Sequence, residues 1–349
     1  MTVGQEPIGL GLIGLGRLGR VRAEIAARQV PGARLAAVYD IDAELAAATA
    51  AEFGAVAVSS VSAVVDHLDV AGVIVATPTG LHVDPVTAVA KAGKALFCEK
   101  PLASSLDDTR LLVDTIDQAG IACQIGFNRR RDPDHLDARR LITEGRIGTP
   151  TYLRSHIRDP FPPPPWALDP NTGGGLFFDM LIHDIDAARM LMGAEITSVY
   201  AQTANLVVDP EGIDGFADNA TVAVTFDTGA LGHFHGSVHA RYGYDIRAEI
   251  FGSGGAIELG RLNHRDVTLR TESDGVTQPS TFQTRDGIPH AFTRFPDAYR
   301  NEIVAFADTI TNGTTPSVDH HDALAAYRVA VACQRSAAQH RPVDLIEIE

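Results

Sequence analysis

Short apolar runs alternate with amphipathic helical stretches through the first 127 residues of the chain. The runs predict strands over residues 8–13, 34–39, 55–58, 73–76, 95–98 and 122–127. The stretches between them predict a helix that ends at residue 28 and helices over 43–53, 61–67, 81–91 and 106–118. This alternation is typical of an α/β protein with a doubly wound parallel sheet, whose ligand lies beyond the carboxyl ends of the strands.

The pattern changes from residue 151 onward to strand-like alternation and turns. Strands are predicted over 152–157, 198–208, 220–226, 230–240, 246–251 and 256–259, which indicates a large, mostly antiparallel sheet. Helical spacing predicts one helix that ends at residue 192 and two more over 298–311 and 323–338. Because 349 residues exceed the usual size of one core, we expect two domains, over residues 1–127 and 128–349.

The loop after the first predicted strand is glycine-rich and reads Gly14-Leu15-Gly16-Arg17-Leu18-Gly19. This GxGxxG pattern stands between a strand and a helix, where glycines let the backbone approach a pyrophosphate and the helix N-terminus attracts its charge. Asp40 ends the second strand about 20 residues further on, as expected for the acid that binds the adenosine ribose hydroxyls. The two features predict a dinucleotide cofactor.

Asp40 also bears on which dinucleotide binds. A carboxylate at this position would repel a 2′-phosphate, and the following Ile41 and Asp42 offer no cation to attract one. We therefore expect NAD rather than NADP. Asp40 could instead cap the helix that starts at residue 43, although Asp42 is better placed for that role.

Two further strand ends carry residues that suit a cofactor cleft. Thr77 and Pro78 follow the fourth strand, with His82 shortly after them, and Glu99 and Lys100 close the fifth strand. A Glu-Lys pair directly after a buried strand is unusual unless it faces the cleft. The alternative for Lys100 is a solvated lysine in a turn.

A second glycine-rich loop, at residues 173–175, runs into a helical pattern that carries Asp179 and His183. Residues four apart share one face of an α-helix, so a carboxylate could orient an imidazole that takes a proton from a hydroxyl. The alternative is a buried histidine that is satisfied by a neighbouring acid.

These residues resemble the glucose–fructose oxidoreductase and inositol dehydrogenase (Gfo/Idh/MocA) family. Glu99-Lys100-Pro101 is similar to its EKP motif, and the spacing from Asp179 to His183 is similar to its DxxxH motif. The resemblance covers essentially the whole chain and is closest to the inositol 2-dehydrogenase branch. The segments that carry this likeness are 126–130, 158–160, 174–184, 242–247 and 294–302.

The resemblance implies an N-terminal Rossmann domain for NAD and a C-terminal α+β domain that binds substrate. It implies that the open sheet of the second domain mediates assembly, usually into dimers or tetramers. It also implies a catalytic group of Lys100, Asp179 and His183, with Arg129, Asp159 and Tyr244 as candidates for binding a polyhydroxylated ring. One departure is Arg131, where relatives often carry an aromatic residue.

The chemistry that we expect is NAD-dependent oxidation of a secondary alcohol on a cyclic polyol, myo-inositol or another inositol, to the ketone. His183 would be the general base, Lys100 would stabilise charge on the reacting oxygen, and Asp179 would orient the histidine or bind a neighbouring hydroxyl. No metal is required. The alternatives are a related enzyme for another sugar and a non-catalytic NAD-sensing protein.

Composition bears on the binding partners, the state of the cysteines and the cellular location. The net charge of −15 disfavours nucleic acid and anionic membrane as partners. Three widely spaced cysteines fit neither a disulfide framework nor a structural zinc site, and they are expected to be reduced. The first residues lack a targeting signal, so a cytoplasmic location is expected.

Two local patterns leave alternatives open. Histidines at 233, 235 and 239 alternate along one predicted strand, which favours a sheet surface or subunit interface over metal binding. The prolines at 162–165 predict an extended loop that leads to Trp166 and is either a stiff lid near the active site or a surface connector.

Overall fold

The computed structural model describes residues 6–162, 174–209, 212–213, 215–261, 264–271, 275–283 and 290–348. For residues 261, 264–271 and 275–283 the description covers the backbone. Contacts divide the chain into two compact units. The first unit joins the chain up to Asn128 with Asp297–Leu324, and the second joins Arg129–Pro296 with the chain from Ala325 onward. The sequence-based prediction placed residues 297–324 in the second domain.

The first unit contains the parallel sheet that the sequence predicts. Its described strands are β1 (Ile8–Ile13), β2 (Ala33–Tyr39), β3 (Val56–Ala57), β4 (Val70–Val75), β5 (Ala95–Cys98) and β6 (Cys123–Ile125). They pair in parallel in the order β3-β2-β1-β4-β5-β6. The order reverses direction between β1 and β4, which is the switch point at which doubly wound sheets bind ligands. The predicted fold class is confirmed.

Helices connect these strands, and α2 is capped as its sequence predicts. They are α1 (Arg17–Arg28), α2 (Ala43–Phe53), α3 (Val61–Val65), α4 (Val83–Lys91) and α5 (Leu106–Ala119). Asp42 caps α2 by accepting hydrogen bonds from the backbone N–H groups of Glu44 and Leu45, both at 3.0 Å. Asp42 is thus the cap, and Asp40 is left for another role.

The returning segment of the first unit covers the sheet. The chain returns to this unit in the long helix Pro296–Asn312, whose Phe306 packs edge-on against Phe97 of β5 with ring centroids 5.9 Å apart. Gly72 of β4 leaves room for this helix, because a β-carbon there would lie 2.5 Å from Ile310. The first unit therefore depends on residues that are distant in sequence.

The described strands of the second unit form one nine-stranded sheet. They are β7 (Pro150–Arg158), β8 (Ile196–Ala204), β9 (Asn219–Phe226), β10 (Leu231–Ser237), β11 (Asp245–Gly252), β12 (Gly255–Arg261), β13 (His264–Thr271), β14 (Gly275–Gln283) and β15 (Val343–Asp344). Their order is β14-β13-β12-β11-β7-β10-β9-β8-β15. Neighbours are antiparallel except β7 and β10, so the mostly antiparallel sheet is confirmed.

Some helical elements of the second unit differ from the prediction. They are α6 (Pro133–Thr143), a π-helical turn (Leu176–Leu181), α7 (Ile182–Met192) and α8 (Ala291–Arg294), followed by α9 (Pro296–Asn312) and α10 (His320–Gln339) near the unit boundaries. Helix α6 was not predicted, nor were β13, β14 and β15. Asp179 lies in a π turn rather than in a plain α-helix, so the predicted continuous α-helix is wrong there.

Gly19 shows why the dinucleotide fingerprint needs its third glycine. A β-carbon at Gly19 would lie 2.0 Å from the carbonyl oxygen of Gly14, so α1 can approach the loop only without a side chain. Gly16, by contrast, has no atom within 4 Å of its hypothetical β-carbon. The two glycines therefore serve different purposes, close packing in one case and open space in the other.

We predict that Gly19→Ala destabilises the first unit by about 1–3 kcal/mol, as expected for overpacking. Gly16→Ala is the matched control and should change the free energy of unfolding by less than about 1 kcal/mol. Urea unfolding followed by circular dichroism measures both values. Equal stability of the two variants would contradict the close-packing role.

Candidate active site

The cofactor loop is tied to Asp40 by its backbone. Gly14 has a φ of 90°, which turns the chain at the end of β1, and the backbone N–H of Leu15 donates to Asp40 Oδ2 at 2.6 Å. Asp40 Oδ1 also accepts from the N–H of Asp42 at 3.0 Å. The carboxylate is half-buried at the end of β2, where an adenosine ribose is bound in this type of fold. The open space at Gly16, in front of the N-terminus of α1, suits a pyrophosphate.

His82 links the two other strand ends that were predicted to face the cofactor. Its ring is buried, with Nε2 2.9 Å from the carbonyl oxygen of Thr77 and Nδ1 3.0 and 3.2 Å from those of Pro101 and Leu102. The imidazole thus connects the loop after β4 with the loop after β5. A direct contact of His82 with the cofactor stays a prediction, whereas its position between the two loops is observed.

Burial also sets the charge of His82. Desolvation lowers the pKa of the imidazole below its ordinary 6.5, and the carbonyl groups of Thr77 and Leu102 offset only part of that effect. The ring is therefore neutral at physiological pH. A neutral imidazole has one N–H, so it can donate to one of the two loops at a time.

Glu99 is held by a buried arginine on α1. Arg22 donates from Nε to Glu99 Oε1 at 2.7 Å and from Nη2 to Glu302 Oε2 at 2.7 Å. All three side chains of this cluster are buried. Glu99 Oε2 lies against Gly126, where a β-carbon would approach it to 2.5 Å. Glu99 thus anchors the end of β5, and its predicted contact with the cofactor stays a prediction.

Lys100 follows this anchor and is partly exposed. Within Leu96–Ala103, Lys100 is partly exposed and the remaining residues are all buried. The Lys100–Pro101 peptide bond is cis. The structure therefore presents Lys100 at the carboxyl end of β5, the edge of the sheet where ligands bind.

In the second unit, Asp179 and His183 are likewise partly exposed within a buried segment. Within Leu176–Ala188, all of which the structure describes, these two residues alone are partly exposed and the others are buried. Asp179 belongs to the π turn and His183 to the first turn of α7. A π turn has slightly more residues per turn than an α-helix, and such turns occur frequently at functional sites. Both residues are thus partly exposed although the helix type changes between them, and their predicted catalytic role stays a prediction.

Arg129 and Arg130 are bound to acidic residues of α7. Arg129 contacts Asp184 through two nitrogens, at 2.9 and 3.0 Å, and both side chains are buried. Arg130 contacts Asp186 through Nε at 2.9 Å and through Nη2 at 2.7 Å. Although burial opposes it, the charge of Asp184 raises the pKa of Arg129, which is thereby a permanent cation. The structure places Arg129 on Asp184, and its predicted contact with substrate stays a prediction.

The other predicted substrate residues lie at strand ends of the nine-stranded sheet. Asp159 follows β7, and its backbone N–H donates to Ser237 at 2.8 Å. Tyr244 is buried and immediately precedes β11. Although burial raises it, hydrogen bonds from His156 and Arg247 lower the pKa of the neighbouring Asp245, which is therefore ionised. These strand ends bring polar and charged groups together at one end of β7 and β11.

The strand histidines bind neighbouring side chains. His233 Nε2 lies 2.6 Å from Thr221 Oγ1, and His235 accepts from Arg158 Nε at 3.3 Å. Both are half-exposed while Phe234 between them is buried, as alternation predicts. His239 lies beyond the end of β10.

Other expectations concern the cysteines and the proline-rich segment. Cys98, Cys123 and Cys333 are free and buried. Residues 160–162 line a concavity of about 470 Å³, together with Val207, Val208 and His239. Residues 163–166 lie outside the described part of the chain. No described helix is both long and apolar enough to cross a bilayer.

Sequence reasoning missed four residues that organise these sites. They are Arg22, Glu302, Asp184 and Asp186. A signal was available for two of them, since the basic run 129–131 and the acids beside His183 are complementary in charge. Arg22 gave a weaker signal, a lone charge on the apolar face of α1.

The doubly wound sheet, its fingerprint loop and the acid at the end of β2 are the features of a dinucleotide-binding domain. Comparison with known proteins also indicates an NAD-binding domain. Residues 8–127 match the family model described as "Oxidoreductase family, NAD-binding Rossmann fold", and residues 135–258 match "GFO/IDH/MocA C-terminal domain". The chain belongs to the Gfo/Idh/MocA oxidoreductase family.

Similar proteins cover nearly the full length of the chain. The scyllo-inositol 2-dehydrogenase (NAD(+)) of Bacillus subtilis is 37% identical over 98% of this chain and 97% of its own. Inositol 2-dehydrogenase of Rhizobium meliloti is 36% identical over 96% and 98%. The structure of scyllo-inositol dehydrogenase from Lactobacillus casei with bound NAD(H) and scyllo-inositol superposes with a TM-score of 0.85, at 27% identity, over 98% of this chain and 100% of that one.

The buried state of His82 generates a prediction about pH. Because burial lowers its pKa, the unfolded chain takes up a proton more readily than the folded protein as the pH falls below 6.5. Acidification from pH 7.5 to 5.5 should therefore lower the free energy of unfolding, and His82→Gln should reduce that loss, by at most about 1.4 kcal/mol for a single group with an ordinary pKa of 6.5. Urea unfolding of the wild type and the variant at the two pH values measures this difference. An unchanged pH dependence in the variant would contradict the assignment.

Proposed function

We propose that the protein oxidises a secondary alcohol of a cyclic polyol to the ketone with NAD, and that an inositol is its substrate. The observation that carries the proposal is the selective exposure of Asp179 and His183 in an otherwise buried helical segment. Lys100 is exposed in the same selective way in the first unit. Relatives named as inositol dehydrogenases over nearly the whole chain support the choice of substrate.

The reaction removes a hydride from a ring carbon and a proton from its hydroxyl group. NAD supplies the hydride acceptor when it is bound. His183 takes the hydroxyl proton as general base, since a neutral imidazole titrates near physiological pH. Lys100 donates a hydrogen bond to the reacting oxygen and stabilises the negative charge that develops there. Asp179 orients His183 or binds an adjacent hydroxyl.

The remaining hydroxyls of the ring need polar partners. Asp159 and Tyr244 are our candidates, because they stand at the ends of β7 and β11 beside the ionised Asp245. A related sugar could be the substrate instead, since the same catalytic group acts on any secondary alcohol and the lining of the pocket selects among them. We further propose a cytoplasmic homo-oligomer, a dimer or a tetramer, as the family resemblance implies.

We predict that the purified protein reduces NAD in the presence of an inositol and that the reaction depends on Lys100 and His183. Lys100→Ala and His183→Ala should each lower kcat by about 100-fold or more, because each removes a group that acts in the transition state. NADH formation, followed by absorbance with myo-, scyllo- and chiro-inositol and with glucose and xylose, measures this.

Two exposed residues of the first unit provide matched controls. Lys91→Ala and His321→Ala should keep the wild-type rate within about twofold, since both side chains are exposed. Turnover of a sugar but of no inositol would refute the substrate while retaining the reaction. NADH binding without turnover of any compound would favour an NAD-sensing protein.

Asp40 generates a prediction about cofactor choice. Asp40→Ala removes the carboxylate that would repel a 2′-phosphate, so the ratio of kcat/KM for NAD to that for NADP should fall at least about tenfold, a change of about 1.4 kcal/mol. Asp42→Ala is the control, because it removes the helix cap two residues away and should leave the ratio unchanged. An unchanged ratio in Asp40→Ala would exclude this role.

A further inference from the structure

Two buried ion pairs flank His183, and the proposed reaction does not use them. Asp184 directly follows His183 and binds Arg129, with side chains 0% and 3% exposed. Asp186 lies three residues after His183 and binds Arg130, with side chains 1% and 12% exposed. In both pairs the guanidinium contacts the carboxylate through two nitrogens. All four residues belong to the second unit.

The helical positions of the two acids place them on either side of His183. Each residue of an α-helix advances by about 100° around the axis. Asp184 therefore lies about 100° to one side of His183, and Asp186 lies about 60° to the other. A rotation of α7 about its axis would lengthen one of the two ion pairs. Together they would resist a rotation of α7, which would change the direction of the Cα–Cβ bond of His183.

The energetics of buried ion pairs favour an orienting role over a stabilising one. Taking two charges out of water offsets most of their attraction, so an apolar pair of similar volume often stabilises a fold as well or better. A two-nitrogen contact adds geometric specificity, because the planar guanidinium fits the carboxylate in one arrangement. Such a pair is useful where a direction must be held.

We propose that Arg129 is a positioning residue for His183, which it orients by holding Asp184, and that Arg130 performs the same task through Asp186. The inference rests on the proposed function, in which His183 is the general base. It gives Arg129 a role beside its predicted contact with substrate, because both of its terminal nitrogens contact Asp184.

The test removes the pair and separates stability from activity. The double variant Arg129→Met, Asp184→Leu replaces both charges by apolar side chains. Its urea midpoint should stay near the wild-type value, its kcat for the polyol should fall by about 10- to 100-fold, and its KM for NAD should change by less than about twofold. The matched control is Arg294→Met, Asp134→Leu, a buried arginine–aspartate contact on α8 and α6, which should retain kcat.

A spectroscopic readout reports on His183 without turnover. In protein labelled with ¹³C at histidine Cε1, the His183 signal is the one that His183→Ala lacks. This signal should shift in the Arg129–Asp184 double variant and stay in place in the control. Retention of kcat together with an unshifted signal would overturn the proposal.

Arg129→Lys keeps the positive charge. It is therefore the variant to test if the double variant does not fold. Lysine offers a point charge in place of a planar fork, so kcat should still fall at least about fivefold with an intact urea transition. A wild-type kcat in Arg129→Lys would overturn the proposal. Full activity of His183→Ala would instead refute the proposed function, and the His183 signal would still decide whether the ion pair orients that side chain.

Discussion

The first unit depends on one buried cation. Arg22 lies inside the unit, 4.7 Å from the ring centre of Phe97 and 4.9 Å from that of Tyr299, and binds Glu99 and Glu302 at 2.7 Å each. Burial opposes its charge, but the two glutamates raise the pKa of Arg22 above its ordinary value. A buried arginine without these partners would be strongly destabilising, so α1, the end of β5 and α9 must assemble together.

In both units, the residue proposed for catalysis stands next to a carboxylate that is buried on an arginine. Glu99 is bound by Arg22 and is followed by Lys100, and Asp184 is bound by Arg129 and is preceded by His183. In each case a carboxylate is buried on an arginine while its neighbour in sequence is partly exposed. Adjacent side chains point in different directions in strands and in helices, so an inward anchor directs its neighbour outward.

Most of the fold and part of the candidate site could be predicted from local sequence patterns. The parallel sheet, the fingerprint loop, the cap at Asp42 and the selective placement of Asp179 and His183 all follow from periodicity or from spacing over a few residues. Helix α6 could have been found as well, because Asp132 before a proline is a typical helix start and does cap α6 through the N–H of His135.

What the sequence did not reveal depends on long-range partners. The pair of Arg22 with Glu302 joins residues 280 positions apart, and no local rule selects one glutamate among many. The π turn likewise changes the hydrogen-bond pattern of a helix while leaving its apolar residues buried, so hydrophobic spacing does not distinguish it from an α-helix.

The return of Asp297–Leu324 to the first unit has a consequence for how this protein can be recombined with its relatives. A fragment that ends at Asn128 contains the whole parallel sheet but lacks Glu302 and Phe306, so Arg22 loses one carboxylate and Phe97 loses its covering ring. A single crossover between two genes would therefore join mismatched halves of one core. Exchange of the cofactor-binding unit requires that both of its segments come from the same parent.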